Sequence, residues 1–349
     1  MRAIHVVELQ AHSRAPPEDA LHDFHRHLDT LASLAHVDGG WGYAPSQPAH
    51  LEPTCLALLA FSLERDRYQP IIDRGLQALQ QNATAQGTYR LSRGREEAIW
   101  PTALVLFAQA VLNQPAEQID KTANALLSLR GQAVDDEEAA AKHDINLTLV
   151  GWPWADGTFS WVEPTAWACL ALCRVGYGKH PRVEEGRRLL LDRALDEGGI
   201  NYGNRRIFGR MTEPIPTPTA ITLLALQGQE SHPRIAAAQE YLRKQLRDAY
   251  LDVENLCWAK LALDVYGHES DVAAALPALD DRIGEAYRAR AEVKWLRPAP
   301  LREALTALAI GTKAANPFRL PEAEPTAVTP SPRHPVTPSS LPSYQQRPV

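Results

Sequence analysis

The chain is predicted to be all-α, about six helix pairs closed into an α/α toroid, with a disordered Pro-rich C-terminal tail. Three observations carry that expectation: an apolar unit recurs, amphipathic stretches alternate with it, and the composition changes near residue 313. The unit reads EPTCLALLAF at 52–61, WPTALVLFAQA at 100–110, EPTAWACLAL at 163–172 and TPTAITLLAL at 217–226. Weaker copies at 252–265 and 301–311 keep the apolar run without the Pro-Thr.

Each element follows from its residues. Pro53, Pro101, Pro164 and Pro218 mark helix starts, because proline suits the first helical turn, where its missing N–H would be unpaired anyway. The residues that follow, such as 166–173, are apolar almost all round, so these helices are buried on every side. Residues 68–81 behave differently: Ile71, Ile72, Gly75, Leu76 and Leu79 form one stripe, while Asp73, Arg74, Gln77 and Gln80 face away. Residues 182–199 and 232–246 share that pattern, each an amphipathic helix with one wet face. Half-wet helices alternating with wholly buried ones suit two concentric layers. An open solenoid would wet one side of the inner helices, so the array is predicted to close around a central cavity. Glycine-aromatic turns at 38–43 (DGGWGY), with echoes at 156–161 and 197–203, end helices through positive φ and offer an aromatic to fill the gap between pairs.

The expected boundaries are a flexible N-terminus at 1–16, the toroid at 17–312, and a Pro/Ser/Thr-rich tail at 313–349 that lacks the composition of a packed core. The 349 residues carry 36 Lys plus Arg against 42 Asp plus Glu, a net charge of −6, which argues against a basic nucleic-acid binder or a polybasic membrane-surface protein. No apolar run approaches the ~18–20 residues that span a bilayer. The polar start is no secretory signal, and four cysteines make no disulfide framework, so a reducing cytoplasm is the expected location.

The glycine-aromatic turns feeding apolar inner helices resemble the repeats of the squalene–hopene cyclase and protein prenyltransferase β-subunit superfamily. The resemblance covers most of 17–311 and is strongest at 38–61 and 151–172. It implies a terpenoid-cyclase-like toroid acting on an isoprenoid or other small apolar substrate. The cyclase Asp-x-Asp-Asp motif aligns with Trp161-Val162-Glu163-Pro164, which puts Glu163 in the place of the proton-donating middle acid and replaces both flanking acids. The Asp-x-Cys of the prenyltransferase zinc site aligns with Glu163 and Thr165, and the region of its histidine reads Pro216-Thr217-Pro218-Thr219. Too few zinc ligands remain, so no metal and no cofactor is expected, and a protein partner is left open.

Glu52 and Glu163 each precede a Pro-Thr and are the candidate acid and base; each is also favourable at a helix N-terminus through the dipole. Trp152, Trp154, Trp161 and Trp167 cluster around Glu163 in sequence, and Trp41, Tyr43 and Tyr202 lie in the glycine turns. Their π faces are a candidate wall for a carbocation, or simply packing between helices. Arg205, Arg206 and Arg210, and in a comparable loop Arg90, Arg93 and Arg95, are candidate holders of a diphosphate, or a solvated loop. The acidic run 135–138 and Asp280-Asp281 lack the third acid of a Mg²⁺-diphosphate motif, and Cys169 with Cys173 reads as core. The leading expectation is an isoprenoid enzyme. The alternatives are a non-catalytic toroid that binds lipid or peptide, and a glycan-active α/α barrel using Glu52 and Glu163.

Overall fold

The computed structural model describes residues 18–90, 99–245, 252–291 and 298–321. Residues 1–17, Arg93, Arg95 and the tail from 322 onward lie outside them. The helices are α1 (Glu18–Ser33), α2 (Leu51–Phe61), α3 (Arg65–Gln80), α4 (Pro101–Val111), α5 (Ala116–Ser128), α6 (Glu137–His143), α7 (Val162–Arg174), α8 (Pro181–Arg193), α9 (Pro216–Ala225), α10 (Pro233–Gln245), α11 (Val253–Val265), α12 (Ser270–Ala291) and α13 (Pro300–Gly311). One small hairpin, β1 (Arg206–Ile207) and β2 (Arg210–Met211), pairs antiparallel. Its turn holds Phe208 and Gly209 at positive φ, the conformation a two-residue hairpin loop demands. Among the described residues no helix is long and apolar enough to cross a membrane.

The six repeats of the sequence are the inner helices, and their ring is closed. In order, α2 packs on α4, α4 on α7, α7 on α9, α9 on α11, α11 on α13, and α13 returns to α2. Each inner helix has an outer partner: α3 on α2, α5 on α4, α8 on α7, α10 on α9 and α12 on α11. The last described inner helix, α13, is covered by α1, the first of the described helices. The two ends of the described chain thus complete one pair. The burial matches the expected patterns: Leu56 through Phe61 of α2 are buried, whereas α3 buries Ile72, Gly75 and Leu79 and exposes Asp73, Arg74 and Gln77.

The Pro-Thr has a second role beyond starting helices. The Thr54 hydroxyl accepts the backbone N–H of Trp41 at 2.9 Å and lies 3.3 Å from its carbonyl oxygen. Thr102 holds Tyr89, Thr165 holds Trp152 and Thr219 holds Ile200 in the same way, each N–H at 2.9 Å. The held residue lies 13 positions earlier in three repeats and 19 in the fourth, whose loop carries the hairpin. Buried backbone groups need a partner, and this hydroxyl supplies one for the turn that enters each inner helix. At Gly151 a Cβ would lie 2.2 Å from the Thr165 hydroxyl, so glycine is required there for the approach.

Two sequence expectations are corrected. The structural counterpart of Trp41 in the α7 repeat is Trp152, held by Thr165, and not the 156–161 echo. The tail does not begin at 313: residues 316–320 pack into the ring, and Phe318 has no exposed surface. Phe318 and the buried Pro317 supply the apolar surface that holds the segment there.

Replacing Thr165 with Val should destabilise the fold by about 1–3 kcal/mol, because the Trp152 N–H is then buried without an acceptor. Thr165→Ser should keep most of that stability; urea denaturation of both variants checks the pair.

Candidate active site

The inner helices present their first turns at one end of the ring. Glu52 of α2, Glu163 of α7 and Glu254 of α11 occupy corresponding places there, on alternate members of the ring. Trp100 and Thr217 take that place at α4 and α9. Helix N-termini favour carboxylates through their partial positive charge, but burial opposes ionisation, and here burial prevails. It pushes the Glu163 carboxyl up to about 8, with the charge of Glu52 adding to the effect. Burial also raises Glu52, opposed by the Tyr43 hydroxyl that donates to it and reinforced by Glu254. Glu254 is raised by burial and by Asp252, against the pull of Arg302 and Arg290. Among the described residues Glu163 has no hydrogen-bond partner, in contrast to Glu52. The two carboxyls thus differ: Glu163 is raised to about 8 with no such partner, whereas Glu52 is raised but engaged by the Tyr43 hydroxyl, the kind of difference that separates an acid from a base.

Tyrosine and tryptophan wall this mouth. Tyr43 and Tyr202 are both partly exposed, and their hydroxyls are held protonated by burial together with Glu52 in one case and Glu163 in the other. Trp161 caps α7 and backs onto Gly203. Trp154 meets Trp100 edge-on at 5.1 Å. One turn below the carboxylates lie Trp167, four residues after Glu163, and Trp258, four after Glu254. These two rings meet edge-on at 5.8 Å and close the floor. The expected hollow does not run through the ring: Phe107, Trp167, Trp258 and Phe318 fill its centre.

Other candidate residues are built into the walls. Trp41 and Trp152 do not line the mouth. They wedge between inner and outer helices, with Trp41 against Gly75 and Trp152 against Gly186, and their indole N–H groups donate to the carbonyls of Leu31 and Leu126. Arg205 is buried between Asp144 and Asp196, with N···O distances of 3.3 and 2.6 Å. Arg206 and Arg210 are the strands of the hairpin, and Arg210 is exposed. Asp136 caps α6, Asp280 pairs with the buried Lys260, and Cys169 is buried against Gly186. Glu254, Trp100, Trp258, Phe107 and Phe318 were not singled out from the sequence. The signal for Glu254 and Trp258 was their place in the weaker fifth repeat; Phe318 had none.

A ring of six apolar helices inside an outer ring is an α/α toroid, here with a carboxyl-bearing mouth. The type II terpene cyclase MstE from Scytonema has this fold, with a TM-score of 0.59 and 14% identity over 87% of this chain and 100% of that one. A protein from Actinoplanes matches with a TM-score of 0.57 and 16% identity over 85% of this chain and 100% of that one. The ent-copalyl diphosphate synthase from Streptomyces platensis gives 0.51 and 16% over 75% of this chain and 50% of that one. At such identities the likeness is one of fold. No protein-family model matches the sequence, and no curated protein does.

Glu163 binds a proton in the folded state that the unfolded chain releases above its ordinary value of 4.5. Its contribution to stability is therefore fully present in acid and is lost as pH rises toward about 8. Glu163→Gln should match the parent near pH 5 and be more stable by roughly 1–3 kcal/mol near pH 8.5, as read by chemical denaturation at both pH values.

Proposed function

We propose that this protein is an acid catalyst for an uncharged isoprenoid chain, acting at the mouth of the toroid with Glu163 as the proton donor. The observation that carries the reading is the Glu163 carboxyl, held protonated above an aromatic floor with no hydrogen-bond partner among the described residues to engage its proton. An acid near 8 is matched to an oxygen lone pair and is too weak for a bare alkene, so the reacting group is an alcohol, epoxide or carbonyl on the chain. Arg205 is already paired with two aspartates, and the arginines that act on the mouth, Arg302 and Arg290, pull on Glu254, so the substrate proposed is a neutral chain rather than a diphosphate.

In the step proposed, the Glu163 proton passes to the substrate oxygen and a C–O bond breaks, releasing water from an alcohol or leaving a hydroxyl on the chain from an epoxide, while a carbonyl becomes a hydroxyl-bearing cation by loss of its π bond alone. The resulting carbocation lies over the faces of the mouth tryptophans, which attract it through their quadrupoles. A chain double bond closes onto it, the cation loses a proton to Glu52, and that proton returns to Glu163. Solved complexes of MstE hold geranylgeranyl dihydroxybenzoate as substrate and merosterolic acid A as product, which supports a long isoprenoid chain as the substrate class. A second reading is a non-catalytic apolar-ligand binder, in line with the replacement of both flanking acids around Glu163 by Trp161 and Pro164; the filled centre of the ring favours a scaffold instead.

Incubation with geranylgeraniol, its terminal epoxide, squalene and geranylgeranyl diphosphate, followed by mass spectrometry, tests the proposal. Product should form from an oxygenated neutral chain, fall at least about 100-fold in Glu163→Gln, and decline as pH rises through about 8, the value at which Glu163 loses its proton. Binding without any product would establish the second reading instead.

A further inference from the structure

Residues 316–320 belong to no helix or strand, yet they enter the ring from the C-terminal ends of the inner helices. The Phe318 ring lies parallel to Phe107, 5.4 Å away and inclined by 6°. Trp258 and Trp167 flank it at 5.6 and 6.1 Å. Phe107, Trp167 and Trp258 are mid-helix residues of α4, α7 and α11, so Phe318 reaches about half-way along the axis. The backbone around it is held one bond at a time by side chains of the rim. Gln227, just beyond α9, donates to the Phe318 carbonyl and accepts the Leu320 N–H, both at 2.9 Å. Arg174, the last residue of α7, donates to the Arg319 carbonyl at 2.9 Å. Asn316 donates to the Leu261 carbonyl of α11 at 2.9 Å. Beside the segment lies an open hollow of about 740 Å³, lined among others by Asn113, Arg174 and Asp264.

This is how a receptor holds a short peptide: an aromatic anchor in a box, with the main chain read by convergent polar side chains. We infer that residues 316–320 are an intramolecular ligand, in which Phe318 occupies the apolar site that an isoprenoid-like chain takes when the segment leaves. The inference rests on the reading that Glu163 acts on such a chain. Trp167 is one of the three residues that Phe318 meets, and Glu163 lies one turn further along the same helix, a rise of about 6 Å. A chain that replaces Phe318 therefore lies against the underside of the Trp167–Trp258 floor, about one turn from the Glu163 carboxyl.

The test uses the full chain and reads binding, not turnover. Hydrogen exchange should show the amides of Phe318 and Leu320 opening roughly 100-fold more readily than those of α4 and α7, and geranylgeraniol should accelerate their exchange in a dose-dependent way. Gln227→Ala, which keeps Phe318 but removes both of its rim bonds, should bind geranylgeraniol about tenfold more tightly than the parent, because the competing segment is weakened. The proposal is overturned if the segment exchanges only with global unfolding, or if geranylgeraniol leaves its exchange unchanged and Gln227→Ala binds no better. Neither readout depends on catalysis. Displacement without product would leave this inference standing and remove the acid chemistry, whereas product formation by a chain whose segment never opens would do the reverse.

Discussion

The inner helices have no polar stripe, and everything else in this molecule answers to that constraint. A helix apolar all round needs apolar neighbours on every side. Closing six of them into a ring satisfies two sides of each, and the outer helices satisfy a third. The fourth side faces the axis, where Phe107, Trp167 and Trp258 meet and Phe318 completes the packing. Only the first turns escape this demand, and that is where the carboxyl groups sit. Burial of apolar surface, at roughly 25 cal/mol per Å², is thus the force that both closes the ring and confines polar chemistry to its mouth.

The repeats keep their structural residues and vary the rest. The buried threonines of α2, α4, α7 and α9 perform one task, tying the entering turn to the helix. In α13 the equivalent outward position is Glu303, fully buried, which meets His27 of α1 at 2.7 Å and the Tyr287 hydroxyl of α12 at 2.9 Å. This seam joins the two ends of the described chain, and a buried carboxyl with hydrogen bonds on both sides is an orienting contact of the kind that specifies one closure. Two positions earlier in the helices, the ring is free to vary: Glu52, Trp100, Glu163, Thr217 and Glu254.

Electrostatics at the mouth follow from two opposed fields. Helix N-termini attract negative charge over about one turn, while removal from water penalises it. Removal from water, with the charge of Glu52 added, tips the balance toward the protonated form for Glu163. The Tyr43 hydroxyl relieves Glu52 alone, so the two acids that look alike in sequence differ in the folded protein. Of the arginines at 205–210, Arg205 is taken up by Asp144 and Asp196, while Arg206 and Arg210 lie on the two strands of the hairpin.

Local periodicity in the sequence was enough to reveal the inner and outer helices and the first-turn prolines, because each depends on which residues lie within a turn or two of one another; the closed ring followed from the lack of a wet face on the inner helices, although the α13–α2 packing that makes it is long-range. Glu52 and Glu163 were legible for the same reason, as first-turn residues of apolar helices. The outward aim of Trp41 and Trp152, the pairing of Arg205, the company of Glu254 and the return of Phe318 to the axis were not. These depend on how far each helix is rotated about its own axis and on contacts such as Phe107 with Phe318, more than 200 residues apart. A pattern of period 3.6 says that a face is buried; only the packed ring decides whether that face looks outward to another helix, inward to the axis, or up into the mouth.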